Sequence, residues 1–257
     1  MKIPLFIENK GQKMFVMVQH PDNPPAGGFP FAIICHGALI GDMREKDWIF
    51  IRIADALEKA GIGSIRFDCR GVGESEGVYE DEILTERNSD TEAVYQYLLQ
   101  QDFVNKDKII ALGRSHGGLM ALDLVKNHPE IKDLILMSTP ANASELWNIL
   151  TPLQRKEIEE KGISARKVCK ISKKWFDDAK LYSPLEDIKQ YNGRLLILHG
   201  DKDELVPVEQ AKLFFETAGT KDKTLKIIEG VGHAYDILEK EQEVVNTVAD
   251  WCKAHVA

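Results

Sequence analysis

Long apolar runs are missing from this chain. No stretch approaches the ~20 consecutive apolar residues that span a bilayer, which argues against membrane insertion. Residues 1–20 alternate apolar and polar side chains without a signal-peptide h-region, so a cytoplasmic location is expected. Cysteine is scarce: Cys35, Cys69, Cys169 and Cys252 are scattered with no C-x-x-C spacing, which supports neither a zinc site nor a thioredoxin-type motif and reads as reduced thiols. Basic charge is in deficit, with 33 Lys and Arg against 41 Asp and Glu and a net charge of -8. Phosphate binding needs a basic footprint, so neither nucleic acid nor an anionic membrane surface is the expected partner. No H-E-x-x-H or H-x-x-E-H string occurs, and Gly71-Val72-Gly73 lacks the third glycine of the dinucleotide fingerprint. Neither a metal nor a nucleotide cofactor is expected. Internal repeats and low-complexity tracts are also missing.

What remains is an ordinary globular composition, 44% hydrophobic and 29% charged over 257 residues, about right for one α/β domain. Short apolar runs at 31–35, 65–67, 109–112, 134–137 and 195–198 end in glycine, polar or turn residues and suit strands buried on both faces. Between them lie helical spacings: Ile49, Ile53, Ala56, Leu57 and Ala60 before Gly61, then Val208, Ala211, Phe215 and Ala218 before Gly219. Both glycines are placed as helix C-caps. Val244, Val248, Trp251 and His255 give a closing helix one apolar face. Strands alternating with helices imply crossovers and a mostly parallel sheet with helices on both faces. Residues 3–8 and 14–18 around Asn9-Lys10-Gly11 predict an antiparallel hairpin at the sheet edge, and 21–30 a loop. Residues 141–192 are too long for a simple connection and predict a helical insertion over the sheet's C-terminal edge within one domain.

Four features carry chemistry. The strand-like 109–112 runs into Gly113-Arg114-Ser115-His116-Gly117-Gly118 and then a helix-like stretch, 119–126. A serine on a sharp strand-to-helix turn, flanked by glycines because the backbone is crowded, is a nucleophile candidate. Carboxylates at Asp201, Asp203 and Glu204 follow the strand at 195–198, where α/β sheets bind ligands. His233 sits in Gly230-Val231-Gly232-His233-Ala234-Tyr235 after the strand-like 225–228. Cys35-His36-Gly37-Ala38 ends another strand; the backbone N–H of Ala38, with that of His116, could face an oxyanion. His36 is expected to brace its loop and not to carry protons.

Together with Phe67-Asp68-Cys69-Arg70-Gly71-Val72-Gly73-Glu74-Ser75, these features resemble the α/β-hydrolase superfamily across almost the whole chain. The order serine, acid, histidine agrees. The resemblance implies an eight-stranded, mostly parallel sheet with a helical cap insertion. It places the acid at Asp203, ahead of Glu204-Leu205-Val206-Pro207, leaving Asp201 a turn residue. It gives the 68–75 loop a structural part only. Within the superfamily, compact size, the His-Gly-Ala loop and the insertion after the sixth strand look like the bacterial cinnamoyl and feruloyl esterases. That implies a cap whose aromatics, here Trp147, Trp175, Phe176 and Tyr182, hold an aryl-acyl group or else glue the cap to the body. His116 departs from the amide or apolar residue frequent in relatives.

The expected chemistry is ester hydrolysis through an acyl-enzyme, with Ser115 as nucleophile, His233 as base and Asp203 orienting it, on a hydroxycinnamoyl or other small acyl ester. A monoacylglycerol lipase or thioesterase, a dipeptidyl-peptidase-like enzyme and a non-catalytic receptor are the rivals. The partner expected is a small-molecule ester; a homodimer stays open.

Overall fold

The computed structural model describes residues 1–38, 41–45, 48–144, 147, 150–166 and 169–256, without the side chains of Arg166 and Cys169. The chain opens on a hairpin, β1 (Lys2–Asn9) antiparallel to β2 (Gln12–Gln19). Its two-residue turn holds Lys10 at φ 50° and Gly11 at φ 76°, the mirror-image turn that matches strand twist. There follow β3 (Phe29–Cys35), α1 (Ile49–Lys59), β4 (Gly63–Phe67), α2 (Leu84–Leu99), β5 (Val104–Arg114), α3 (His116–Asn127) and β6 (Asp133–Met137). An inserted segment carries α4 (Pro152–Lys161), β7 (Ile163–Arg166), β8 (Cys169–Ser172), α5 (Lys173–Ala179) and α6 (Pro184–Gln190). The chain closes with β9 (Arg194–Gly200), α7 (Glu209–Thr217), β10 (Lys223–Ile228) and α8 (Leu238–Val256).

Eight strands form one sheet in the order β1-β2-β4-β3-β5-β6-β9-β10. The two pairings that involve β2 are antiparallel and the remaining five are parallel. This is the mostly parallel eight-stranded architecture expected of an α/β hydrolase. Alternate residues of the central strands feed opposite faces, as a period of two requires. Ile34, Leu112, Ile135 and Leu198 pack with α1 and α8, whereas Ile33, Ala111, Leu136 and Ile197 pack on the side of α2, α3 and α7. The chain leaves β3 for β4 on one flank and returns as β5 on the other. The β3 and β5 ends therefore border the crevice where open α/β sheets bind ligands.

Four details differ from expectation. The 21–30 loop gives up its last residues: Phe29 and Pro30 belong to β3, with a register shift between Phe29 and Phe31 that accommodates a proline unable to donate to the ladder. Gly61, at φ 81°, does follow α1 in the left-handed conformation, but Gly219 is not such a cap. It is small because a Cβ there would lie 2.1 Å from the Lys189 carbonyl oxygen. The buried face of α8 runs through Val244, Val245, Val248, Cys252 and Val256, while the half-buried Trp251 and His255 rings contact each other at a tilt of 40°. The inserted segment is not wholly helical, since β7 and β8 pair antiparallel in a sheet of their own. Cys35, Cys69 and Cys252 are buried free thiols.

Candidate active site

The register of the sheet assembles the site. Cys35 lies opposite Gly113, so the His36-Gly37-Ala38 loop leaves β3 level with the turn that leaves β5. Ser115 occupies that turn at φ 53° and ψ -126°, a conformation that costs a non-glycine residue about 1–3 kcal/mol and persists only where the surroundings hold it. They hold it by close approach. A Cβ on Gly113 would lie 2.0 Å from the Gly117 carbonyl oxygen, and one on Gly117 would lie 2.1 Å from that of Cys35. The Ser115 N–H donates to the Met137 carbonyl at 2.8 Å, pinning the turn to β6.

Asp203 follows β9 with its side chain fully buried. Its Oδ1 accepts the Leu205 and Val206 N–H groups at 3.0 and 2.8 Å. Its Oδ2 lies 2.8 Å from His233 Nδ1 and 3.2 Å from His199 Nε2. A carboxylate accepts, so His233 carries its proton on Nδ1 and leaves Nε2 with a free lone pair. Burial raises the Asp203 carboxyl, but the hydrogen bonds from His199 and His233 outweigh it and hold it well below the usual carboxylate range. His233 is lowered, chiefly by burial, with the Asp203 hydrogen bond opposing and the Arg114 charge reinforcing that shift. The imidazole is thus neutral at pH 7 and aligned by an ionised carboxylate. Arg114 Nε donates to the His233 carbonyl at 3.2 Å, which draws the histidine loop beside Ser115.

Ala38 and His116 flank this centre. The Gly37 N–H is taken by Glu45 Oε1, which leaves Ala38 as the next amide of the loop, and a Cβ on Gly37 would sit 3.4 Å from that of Ser115. His36 Nε2 accepts the Cys69 N–H at 3.1 Å while Nδ1 donates to the Gly37 carbonyl at 2.7 Å. Burial and the Arg87 charge lower His36 to about 3, so it is a neutral brace. Arg87 donates to the carbonyls of His36 and Gly37 from beneath. In the 68–75 loop, Asp68 accepts the Met43 and Glu74 N–H groups, a structural task. Asp201 Oδ1 takes the Gly230 N–H at 2.6 Å and so ties the histidine loop to the β9 turn.

The aromatic residues divide. The His116 ring lies 4.7 Å from that of Trp175, which meets Phe176 edge-on at 5.0 Å, and Trp147 meets Phe176 at 4.9 Å. Trp175 and Phe176 are buried and Trp147 half-buried. His116 Nε2 donates to the Ala143 carbonyl at 3.3 Å, and burial lowers this ring also to about 3. Tyr182 instead hydrogen-bonds Thr85 at 2.9 Å, and Asp178 caps the same residue. Three of the four aromatics therefore gather beside the residue after Ser115, and Tyr182 docks the inserted segment on α2. Sequence reasoning passed over His199, Glu45, Arg114 and Arg87 as site residues. His199-Gly200 stood in plain view before the carboxylates; Glu45 and Arg114 pair across the chain, and Arg87, paired locally with Glu82, reaches the His36 and Gly37 carbonyls some fifty positions away, with no local signal. Among the described residues no group of three or more His, Cys, Asp or Glu could hold a metal. None of their helices is long and apolar enough to cross a membrane.

Comparison with known proteins decides the family. The model of the prolyl oligopeptidase family matches residues 50–257. The chain belongs to that family. Among solved structures, Est1E from Butyrivibrio proteoclasticus with ferulic acid bound superimposes with a TM-score of 0.84 at 27% identity, covering 96% of this chain and 97% of that one. Among curated proteins, monoglyceride lipase of Rattus norvegicus is 26% identical over 96% of this chain and 87% of its own length. The α/β hydrolase domain-containing protein WAV2 of Arabidopsis thaliana is 26% identical over 76% of this chain, and the match spans 62% of WAV2. Fold and family make this chain a serine hydrolase of the α/β-hydrolase type that resembles feruloyl esterases.

Proposed function

We propose that the protein hydrolyses carboxylic esters through an acyl-enzyme on Ser115, with hydroxycinnamoyl or other small acyl groups as substrates. The observation that carries this reading is the His233–Asp203 contact of 2.8 Å, tied through Arg114 to the strained serine turn. His233 Nε2 takes the proton as Ser115 Oγ attacks the ester carbonyl, and Asp203 holds the imidazole in the tautomer that leaves Nε2 free. The tetrahedral oxyanion receives the Ala38 and His116 N–H groups; losing one such donor typically costs about 3 kcal/mol of transition-state stabilisation. Collapse expels the alcohol with the proton from His233. Water, deprotonated by the same nitrogen, then releases the acid and restores Ser115.

Trp175, Phe176 and Trp147 form an aromatic wall beside His116, suited to an arylalkenoyl chain. The ferulic acid held by Est1E favours the same acyl class. The likeness to monoglyceride lipase favours a second reading, a straight-chain acyl group in that slot. Rates on ethyl ferulate, a medium-chain monoglyceride and an acyl-amino-acid anilide separate these readings and a peptidase. The aryl-acyl assignment expects the highest kcat/KM on ethyl ferulate and is overturned by slow hydrolysis of every aryl-acyl ester beside fast hydrolysis of the glyceride.

A further inference from the structure

Two buried charges beside Ser115 play no part in the proton transfers. Glu45, on the loop after β3, and Arg114, the residue before the serine, form an ion pair with side chains only 3% and 6% exposed. The second Glu45 oxygen accepts the Gly37 N–H, and Arg114 Nε donates to the His233 carbonyl at 3.2 Å. One ion pair therefore touches three chain segments distant in sequence: the loop that bears Ala38, the turn that bears Ser115 and the loop that bears His233. Glu45 also stands at φ 57°, in the left-handed region where a carboxylate side chain gives no conformational advantage over glycine. An ion pair this deep is weak evidence for stability, since desolvation offsets the attraction, but its directional hydrogen bonds fix geometry.

We propose that the Glu45–Arg114 pair is a positioning clamp, which registers the Ala38 loop and the His233 loop on the serine turn so that oxyanion donors and base act from one frame. The inference rests on reading Ser115 as the nucleophile. Neither residue touches the reacting atoms; both act through the backbone they hold. A shift of about 1 Å in such a frame costs on the order of a hundredfold in rate. The loss falls on kcat, because the pair's hydrogen bonds go to the loops that bear the oxyanion donor and the base.

Charge gives the clamp a second signature. The charged and titratable groups facing His233 are Asp203, with His199 behind it, Arg114, Glu45 and His116. In the intact pair the carboxylate partly offsets the guanidinium at the imidazole. Removing only the carboxylate leaves a permanent cation that disfavours the imidazolium.

The test compares Glu45→Gln, Arg114→Gln, Arg114→Lys and the Gln double variant with the wild type. Readouts are steady-state kinetics on p-nitrophenyl acetate from pH 5 to 9, thermal melting and fluorophosphonate labelling. Each Gln single is expected to lower kcat about a hundredfold with KM within about threefold. The double variant should be no slower than the worse single, the non-additivity of residues acting as one unit. The acid limb should move to lower pH in Glu45→Gln and return towards the wild-type position in the double variant, which mere loss of packing would not produce. Arg114→Lys keeps the charge but lacks the fork that reaches Glu45 and the His233 carbonyl together. It should therefore lose kcat too, and it supplies the measurement if Arg114→Gln does not fold. Wild-type kcat in the singles or in Arg114→Lys, losses that multiply in the double variant, or an acid limb unmoved in Glu45→Gln would each overturn the clamp. Wild-type protein that fluorophosphonate leaves unlabelled at Ser115 overturns the nucleophile reading itself and the clamp with it; normal labelling with wild-type kcat in the variants overturns the clamp alone.

Discussion

Replacing Asp203 by asparagine should disable the site through its tautomers and not through its shape. The carboxylate accepts four hydrogen bonds, two on Oδ1 from the Leu205 and Val206 amides and two on Oδ2 from His233 and His199. An asparagine must keep its carbonyl oxygen on the two backbone amides, which places its NH2 where Oδ2 was. That group now donates towards His233 Nδ1, so the imidazole is driven to carry its proton on Nε2, the atom that must accept the serine proton. The same exchange in a serine protease triad lowers kcat about 10⁴-fold, equivalent to about 5.4 kcal/mol at 1.36 kcal/mol per tenfold. His199 keeps the Val206 carbonyl as an acceptor at 2.8 Å, so the pocket wall should stand. The assay is kcat and KM on p-nitrophenyl acetate from pH 6 to 9, with Asp201→Asn as control. Asp201 accepts the Gly230 N–H, a bond that an amide oxygen also serves, and its other contact is an exposed ion pair with Lys202 at 3.4 Å, so the control should stay within about threefold. A loss below tenfold in Asp203→Asn, or an equal loss in Asp201→Asn, would refute the reasoning.

Other outcomes follow from the same geometry. Burial lowers His233, and the base works neutral, so the acid limb of kcat/KM should lie below the ordinary histidine value near 6.5; a limb above pH 7 would contradict this. His36 and His116, each lowered to about 3, take up protons on unfolding across the window from about 6.5 down to 3. The unfolded chain binds more protons there, so stability must fall as pH falls, by up to about 1.4 kcal/mol per pH unit for each ring. Urea midpoints at pH 7 and pH 5 check it, and equal midpoints would sink it. Gly117→Ala puts a methyl 2.1 Å from the Cys35 carbonyl oxygen and should cost about 3 kcal/mol, read as a lower melting temperature. Trp147→Ala, at a half-buried position, should raise KM for ethyl ferulate while leaving p-nitrophenyl acetate within about twofold; equal effects on both would remove Trp147 from the acyl site.

The sequence carried most where the determinants are local. The serine turn spans a strand, three close-packed glycines and a helix within about twenty residues, so pattern alone located it. Central strands announced themselves as apolar runs because both their faces are buried. The inserted hairpin did not, since its strands have four residues each and lie in lysine-rich sequence. Gly219 was misread because its constraint is the Lys189 carbonyl thirty positions away, not its own φ. The Glu45–Arg114 pair and the second histidine on Asp203 are long-range or buried polar contacts that no periodicity encodes.

The most direct test of the central claim is to trap the acyl-enzyme. Mixing the protein with excess p-nitrophenyl acetate, quenching in acid within the first turnovers and mapping peptides by mass spectrometry should find one acetyl group, on Ser115, and none in Ser115→Ala. An acetyl group on another residue, or undiminished turnover in Ser115→Ala, would contradict it.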